Sequence, residues 1–521
     1  MHRPERAALA CYSGRLLGVA RCSAFALLGA AYAGVASAAR WSVEPAVQAQ
    51  ATWTDNVAFE ERGDKKDDVL VELTPAVRLL GVGRRLRIAG TVGVTAVGYA
   101  NGARDTRVLP TADLSANLEA IERFFFVEAG VVARRGAEDV FGPRPDGAAD
   151  LNTVTTTQYR LVPSLQGRLG GNVDYQLRSA NSWTTVSGAR SETDGAYLGE
   201  HSLRLERQPT PLGVRLELAR SDTRFESQTP PSATVDSGRL ILVYAFSPGL
   251  ALGLRGGYEK TNLVLRDNEQ TIYGADVRWR PTERTVLEAL GERRFFGTGW
   301  RLRFDHRMPR LAWSLAAGRD VATFPQAFLT LPPTDNVATL LNAAFTTRFP
   351  DEAERNRVVA DLIARQGLPA SLATETTLFS QRASILTSRT ATVVLLGVRN
   401  SLALSAFASK REELPDSIFA LVPTGAGNVK QQGASLTLSH QLTPLAAVNV
   451  TAAHTRVQGI GVDEGPESEQ TSARFQLTRQ LGPRSSGYVG ARRQRFKSNE
   501  VVGVARDARE SAAFVGLSHR F

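Results

Sequence analysis

Ala112-Asp113-Leu114-Ser115-Ala116-Asn117-Leu118-Glu119-Ala120 alternates apolar and polar residues without a break. Ala112, Leu114, Ala116, Leu118 and Ala120 fall on one face of an extended chain, and Asp113, Ser115, Asn117 and Glu119 on the other. Period two over this length specifies a β-strand with one greasy face and one wet face. The pattern recurs at Trp300, Leu302 and Phe304 against Arg301, Arg303 and Asp305. It recurs again at Ala434, Leu436 and Leu438 against Ser435, Thr437, Ser439 and Gln441. The greasy faces carry no run of charge.

The punctuation between strands alternates too. Short turn signals stand at Gly81-Val82-Gly83, Gly170-Gly171-Asn172, Pro209-Thr210-Pro211, Ser247-Pro248-Gly249, Pro281-Thr282-Glu283, Pro309, Gly397 to Asn400, Thr443-Pro444 and Gly482-Pro483. Longer polar stretches separate them, at Gly136 to Asp150, Gln228 to Ser232, Glu412 to Asn428 and Gly459 to Glu467. Tight turns on one side and long loops on the other are the rhythm of an outer-membrane barrel. Segments from Val43 to Phe521 number about 22, an even count that returns the last strand to the side where the first began. The expectation is an all-β protein: a large antiparallel transmembrane β-barrel of about 20–24 strands, best count 22, with every short turn on the inner side.

The 521 residues are 43% hydrophobic and 22% charged, which excludes both a disordered chain and a helical membrane bundle. Arg3, Arg6, Arg15 and Arg21 precede an apolar run from Cys22 to Val35 and the small-residue site Ala36-Ser37-Ala38. That order reads as a secretory signal peptide over 1–38, cleaved near Ala38, with the barrel over 39–521. Cleavage removes Cys11 and Cys22, so no disulfide or thiolate metal site is expected. It also lowers the net charge from +10 to about +7, and an exported chain of that modest charge is not a nucleic-acid binder. The expected location is the outer membrane of a Gram-negative cell, with outer-membrane lipid and the barrel-assembly machinery as partners. Phe521, closing a strand with Leu517, Val515 and Ala513 on the same face, reads as the insertion signal.

Between Phe324 and Ala373 the alternation stops. Val337, Leu340, Leu341, Ala344 and Phe345 have helical spacing. Asp351 and Glu354 form a capping pair ahead of Val359, Leu362 and Ile363, and Gly367 and Pro369 stop the helix. A two-helix insert over about 324–373 is predicted, leaving from the outer side. It either caps the mouth or folds into the lumen, as a gate or as packing for the rim.

The chemistry of a catalyst is not visible. His2, His201, His306, His440, His454 and His519 are isolated, and no phosphate loop, nucleophile elbow or metal-ligand spacing occurs. A Ser-His site from Ser435, Ser439 and His440 is conceivable only across strands. No enzyme activity, cofactor or metal is expected. Arginine on the wet faces does stand out, at Arg204, Arg215, Arg278, Arg280, Arg301, Arg303, Arg307 and Arg474, with Arg520 in the same parity. Interleaved acids (Asp276, Asp305, Glu206, Glu217) allow mutual pairing; an excess of guanidinium groups would favour anionic solutes in a pore.

Thr54-Asp55-Asn56-Val57 after Ala51-Thr52-Trp53, together with Asn342-Ala343-Ala344-Phe345, Gly367-Leu368-Pro369-Ala370-Ser371-Leu372 and Leu396-Gly397-Val398-Arg399-Asn400, resembles the outer-membrane barrel family associated with PEP-CTERM/exosortase exopolysaccharide loci. The resemblance spans the body of the chain and its motifs are structural. It implies a genomic neighbourhood of polysaccharide synthesis and protein sorting; joined to the wet-face arginines, it leads to the expectation of a role in exopolysaccharide export or assembly, with an anionic polysaccharide and periplasmic export components as partners. A general anion porin and a surface-matrix anchor are the competing readings.

Overall fold

Strands of 10 to 17 residues, 22 in number, form one closed antiparallel sheet in the computed structural model. The structure describes residues 40–61, 63–102, 105–144, 152–188, 194–226, 232–264, 268–323, 383–414, 428–461, 465–499 and 506–521, with scattered residues between 326 and 363. The signal-peptide reading over 1–38 lies outside them. Strands rising from the inner to the outer side are β1 (Arg40–Thr54), β3 (Leu86–Tyr99), β5 (Phe125–Ala137), β7 (Val173–Gly188), β9 (Leu212–Phe225), β11 (Leu250–Thr261), β13 (Thr285–Arg294), β15 (Leu311–Ala322), β17 (Asn400–Glu413), β19 (Ala446–Gly459) and β21 (Ser485–Ser498). Those descending are β2 (Asp68–Val82), β4 (Arg107–Ile121), β6 (Thr153–Leu169), β8 (Asp194–Arg207), β10 (Ser232–Ser247), β12 (Glu269–Thr282), β14 (Gly297–Arg307), β16 (Ser384–Leu396), β18 (Val429–Thr443), β20 (Glu467–Gly482) and β22 (Asp507–Arg520).

Each strand pairs with its neighbours in sequence, and β1 closes on β22 from Ala46↔Arg520 to Thr54↔Ala512. The apolar faces point outward into open space: Leu254 is 68% exposed, and Val43, Leu240, Leu242 and Val515 are exposed with it. A continuous exposed apolar surface of this kind is stable only in lipid. Aromatic residues mark its two edges. Trp41, Phe246, Trp279 and Phe521 stand at the inner edge, and Trp53, Trp183, Tyr258 and Tyr273 at the outer one. The chain is an outer-membrane-type β-barrel.

The period-two pattern puts every short turn on the inner side, yet the outer hairpin β13–β14 is closed by Phe295 and Phe296 alone. Gly297 permits this with φ +106°, and the Phe295 amide donates to Glu259 Oε1 at 2.7 Å. The outward faces are also not free of charge, since Arg220, Asp222 and Arg224 alternate outward on β9. They lie toward the outer end of the strand, where charge costs little.

Thr54-Asp55-Asn56-Val57, read as a structural motif, is the staple of the barrel seam. Asp55 exchanges backbone and side-chain bonds with Ser511, and Asn56 Nδ2 donates to the carbonyls of Arg509 and Glu60 at 3.0 and 2.8 Å. Thr54 Oγ1 donates to Glu510 Oε1 at 2.8 Å, and Arg492 Nη2 reaches the same oxygen at 2.9 Å. Arg492 and Glu510 are both buried, so removing one strands the other's charge in a dry wall. Glu510→Ala is expected to lower the unfolding free energy by about 3–5 kcal/mol in urea titrations of barrel refolded into vesicles. The apolar pair Arg492→Met with Glu510→Leu should recover most of that loss; equal losses in the two variants would refute a seam held by charge compensation.

Candidate functional site

The lumen has two chemically different walls. Along β8–β15 it is lined by guanidinium and carboxylate groups in register. Glu292 accepts from Arg239 Nη2 at 3.0 Å and Arg255 Nη1 at 3.3 Å, and Arg255 reaches on to Asp276 at 2.7 Å. Arg294 joins this network to Glu259 at 3.0 Å and to Asp320 at 2.8 Å. Period two places these groups inward on successive strands, and strand spacing brings Arg255 and Arg294 each within reach of at least two acids. The buried members fix one another, whereas the exposed pairs contribute only about 0–1 kcal/mol each.

The eight arginines singled out from the sequence all face this interior, but five of them are already in ion pairs. Arg204 and Arg215 share Glu206, Arg278 and Arg280 share Glu288, and Arg303 holds Asp305 at 2.6 Å. Arg307 donates to the carbonyl of Glu283 at 2.9 Å. Arg474 donates to Gln476 Oε1 at 3.1 Å and lies 4.2 Å over the Phe514 ring. Arg301 has no carboxylate partner among the described residues. The wall is therefore a balanced ladder rather than an arginine excess. Arg239, Arg255 and Arg294, among its most buried basic members, are not singled out by the sequence because glycines and short runs blur the alternation around them. Their signal was parity counted from Leu240, Leu254 and Arg293 on the opposite face.

The facing wall is nearly uncharged, with Arg411 and Glu413 at the outer end of β17 as its inward charges among the described residues. Described positions of β16, β18 and β19 turn no charged side chain inward. Ser401, Ser405 and Ser409 of β17 lie beside Ser439, Ser435 and Gln431 of β18, and all are buried. At the inner end of this wall, Val394 and Leu396 of β16 and Ala403 of β17 pack against helical residues of the insert, Leu341, Phe345, Val359, Leu362 and Ile363. These described helical residues of the insert therefore lie inside the lumen, near the short inner turn, although the strands that carry the insert end at the outer rim. Thr323 and Gln326 anchor its start across the mouth, where Gln326 Nε2 donates to Ser221 Oγ of β9 at 3.0 Å. Val337, Leu340, Ala344, Asp351, Gly367 and Pro369, used to predict the helices, lie outside the described residues.

Two outer loops also turn inward, which their polar sequences did not announce. Val140 and Phe141, between β5 and β6, cross the lumen to pack on Val429 and Val457 of β18 and β19. The Arg144 amide donates to Gln470 Oε1 of β20 at 2.9 Å; burial pulls the Arg144 guanidinium down to about 10, with Asp139 opposing. Val57 and Phe59 seal the seam side against Leu70, Val97 and Leu109, and against Phe496. The conceivable Ser-His site does not form: Ser435 and Ser439 point inward, while His440 points outward and meets Asn400 at 2.6 Å. Phe521 is exposed at the inner edge, its amide donating to the carbonyl of Pro45 at 2.9 Å.

No protein-family model matches the chain, and no curated protein matches it. Among solved structures it is similar to the ferric enterobactin receptor PfeA of Pseudomonas aeruginosa, at 10% identity over 92% of this chain and 82% of that one, TM-score 0.45. It is similar to the siderophore receptor PirA of Acinetobacter baumannii at 9% identity, over 92% and 80%, TM-score 0.45. For OccAB1 of Acinetobacter baumannii the values are 10%, 92% and 97%, with TM-score 0.32. Likeness at this level says nothing of what the lumen carries.

The docked insert can be checked with one thiol, because the barrel body from 39 onward has no cysteine. Val394→Cys, 3% exposed in the wild type, should resist a water-soluble maleimide. Deleting 324–373 should raise its labelling rate about tenfold or more, as expected when a local cover is removed. Equal rates would place the insert elsewhere.

Proposed function

We propose that this barrel serves the export or assembly of an acidic exopolysaccharide at the outer membrane. The observation that carries the reading is a lumen with a helical plug at its inner end, a guanidinium–carboxylate ladder on one wall and a hydroxyl and amide surface on the other. A sugar carboxylate can replace a side-chain carboxylate on the same guanidinium, so each step along the ladder exchanges one ion pair for another at little net cost. Sugar hydroxyls find partners of the same kind on the Ser/Thr/Gln wall. Many weak contacts that exchange quickly allow sliding, whereas one tight site would arrest it. The resemblance of Thr54-Asp55-Asn56-Val57 and the central blocks to the exopolysaccharide-locus family supports the same reading; periplasmic export components would be its partners. On this reading the protein is a conduit and not a catalyst.

A general anion porin and a structural anchor for surface matrix differ in outcome. In planar bilayers the wild type is expected to stay closed, and the form lacking 324–373 to show stable open steps. A deletion strain should retain polymer inside the envelope. Normal secretion in that strain would end the export reading. Steady wild-type conductance with an unchanged capsule would favour the porin, and a sealed lumen with matrix shed into the medium would favour the anchor. In the open form, Arg301→Gln with Arg303→Gln and Arg307→Gln should shift the reversal potential toward cation preference; an unmoved potential would remove these arginines from the conducting path.

A further inference from the structure

Arg293, Arg319 and Arg389 face away from the lumen. Arg293 stands directly opposite Tyr273, and Arg319 directly opposite Trp300, so both guanidinium groups lie in the outer aromatic girdle. Arg389 pairs with Ala317 on the next strand, two positions from Arg319. Below them the outward surface is apolar, with Leu302, Phe304 and Leu315 in register.

The inward Arg239, Arg255 and Arg294 each hold a carboxylate, yet among the described residues no carboxylate pairs with Arg293, Arg319 or Arg389. Two of them also converge. A methyl group placed on Gly297 would have Arg319 Nη1 at 3.7 Å and Arg293 Nη1 at 3.8 Å, so both cations flank one small notch. Arg319 is held in place by donation to the Thr298 carbonyl at 2.6 Å and by the Phe296 ring, 5.5 Å from its Cζ. Two like charges aimed at one notch repel unless an anion lies between them. Burial cannot be the reason for the arrangement, because Arg293 and Arg389 are exposed. Glycine at position 297 leaves room for a tetrahedral group, and φ +106° disfavours any side chain there.

We propose that the outward face of β13–β16 is a binding site for a phosphorylated lipid of the outer leaflet, its phosphate seated at Gly297 between Arg293 and Arg319 and its acyl chains on the apolar surface beneath. Guanidinium forks suit phosphate, and the girdle is the depth at which lipid phosphates lie. Arg389 offers a second contact for a lipid carrying two phosphates.

The test is lipid retention by the full-length barrel, purified in detergent and exchanged through vesicles of phosphatidylcholine containing a diphosphorylated glycolipid (lipid A), read by native mass spectrometry. The wild type should keep the glycolipid, and Arg293→Gln with Arg319→Gln should keep at least about fivefold less, as expected for the loss of charge-assisted contacts. Arg456→Gln, which removes an outward cation already bridged to Glu467, should retain as the wild type does. Heat-modifiable gel migration verifies folding; if the double glutamine variant fails to fold, Arg293→Lys with Arg319→Lys takes its place and should also lose retention, because a fork is replaced by a point charge. Three outcomes would overturn the proposal: equal retention in the variants, equal retention of the fully dephosphorylated glycolipid, or release of the lipid by millimolar inorganic phosphate, which would make the notch a free-anion site.

Discussion

Lipid offers no partner to a backbone amide, and every other feature of this molecule follows from meeting that demand. A sheet that crosses a bilayer must close, and closure makes the first and last strands neighbours. The residues that flank the first strand's outer end, Thr54 to Val57, therefore make bonds across more than four hundred residues of sequence. Closure also fixes parity: once one residue is known to face lipid, the orientation of each residue in the wall follows from the register. The polar faces are then forced into one enclosed space, where they satisfy each other or bind what passes.

That enclosure explains why the two walls of the lumen differ. Long charged side chains on β8–β15 fill space and pair across strands, leaving a thick, self-neutralised wall. Short hydroxyl side chains on β16–β19 leave space, and the insert occupies part of it against Val394, Leu396 and Ala403. Small residues opposite a bulky insertion are a packing requirement before they are anything else. The chemistry offered to a solute is the remainder once that packing is complete.

Alternation made the fold legible, down to the count of strands, because period two is a local signal that needs no knowledge of partners. The same locality limited the rest. Val140 and Phe141 read as part of a polar loop, since the residues they pack against, Val429 and Val457, lie in strands about three hundred positions away. Leu341, Phe345, Val359, Leu362 and Ile363 stood out by helical spacing, but the surface they cover did not, because an apolar helix face does not say what it packs against. The inward arginines were identifiable by parity, yet whether each carried a partner depended on strands two or three places around the barrel, as with Arg239 and Glu292. Phe295 and Phe296 look like strand interior and are a turn, because the deciding residue is the glycine that follows them.

The insert braces the wall at the end opposite the one where it leaves it. It departs from the outer rim between β15 and β16, while its described helical residues cover Val394, Leu396 and Ala403 beside the inner turn. The β16–β17 hairpin is thereby buttressed from inside, as a rib stiffens a hull, and the short side chains of this wall are what leave room for the rib.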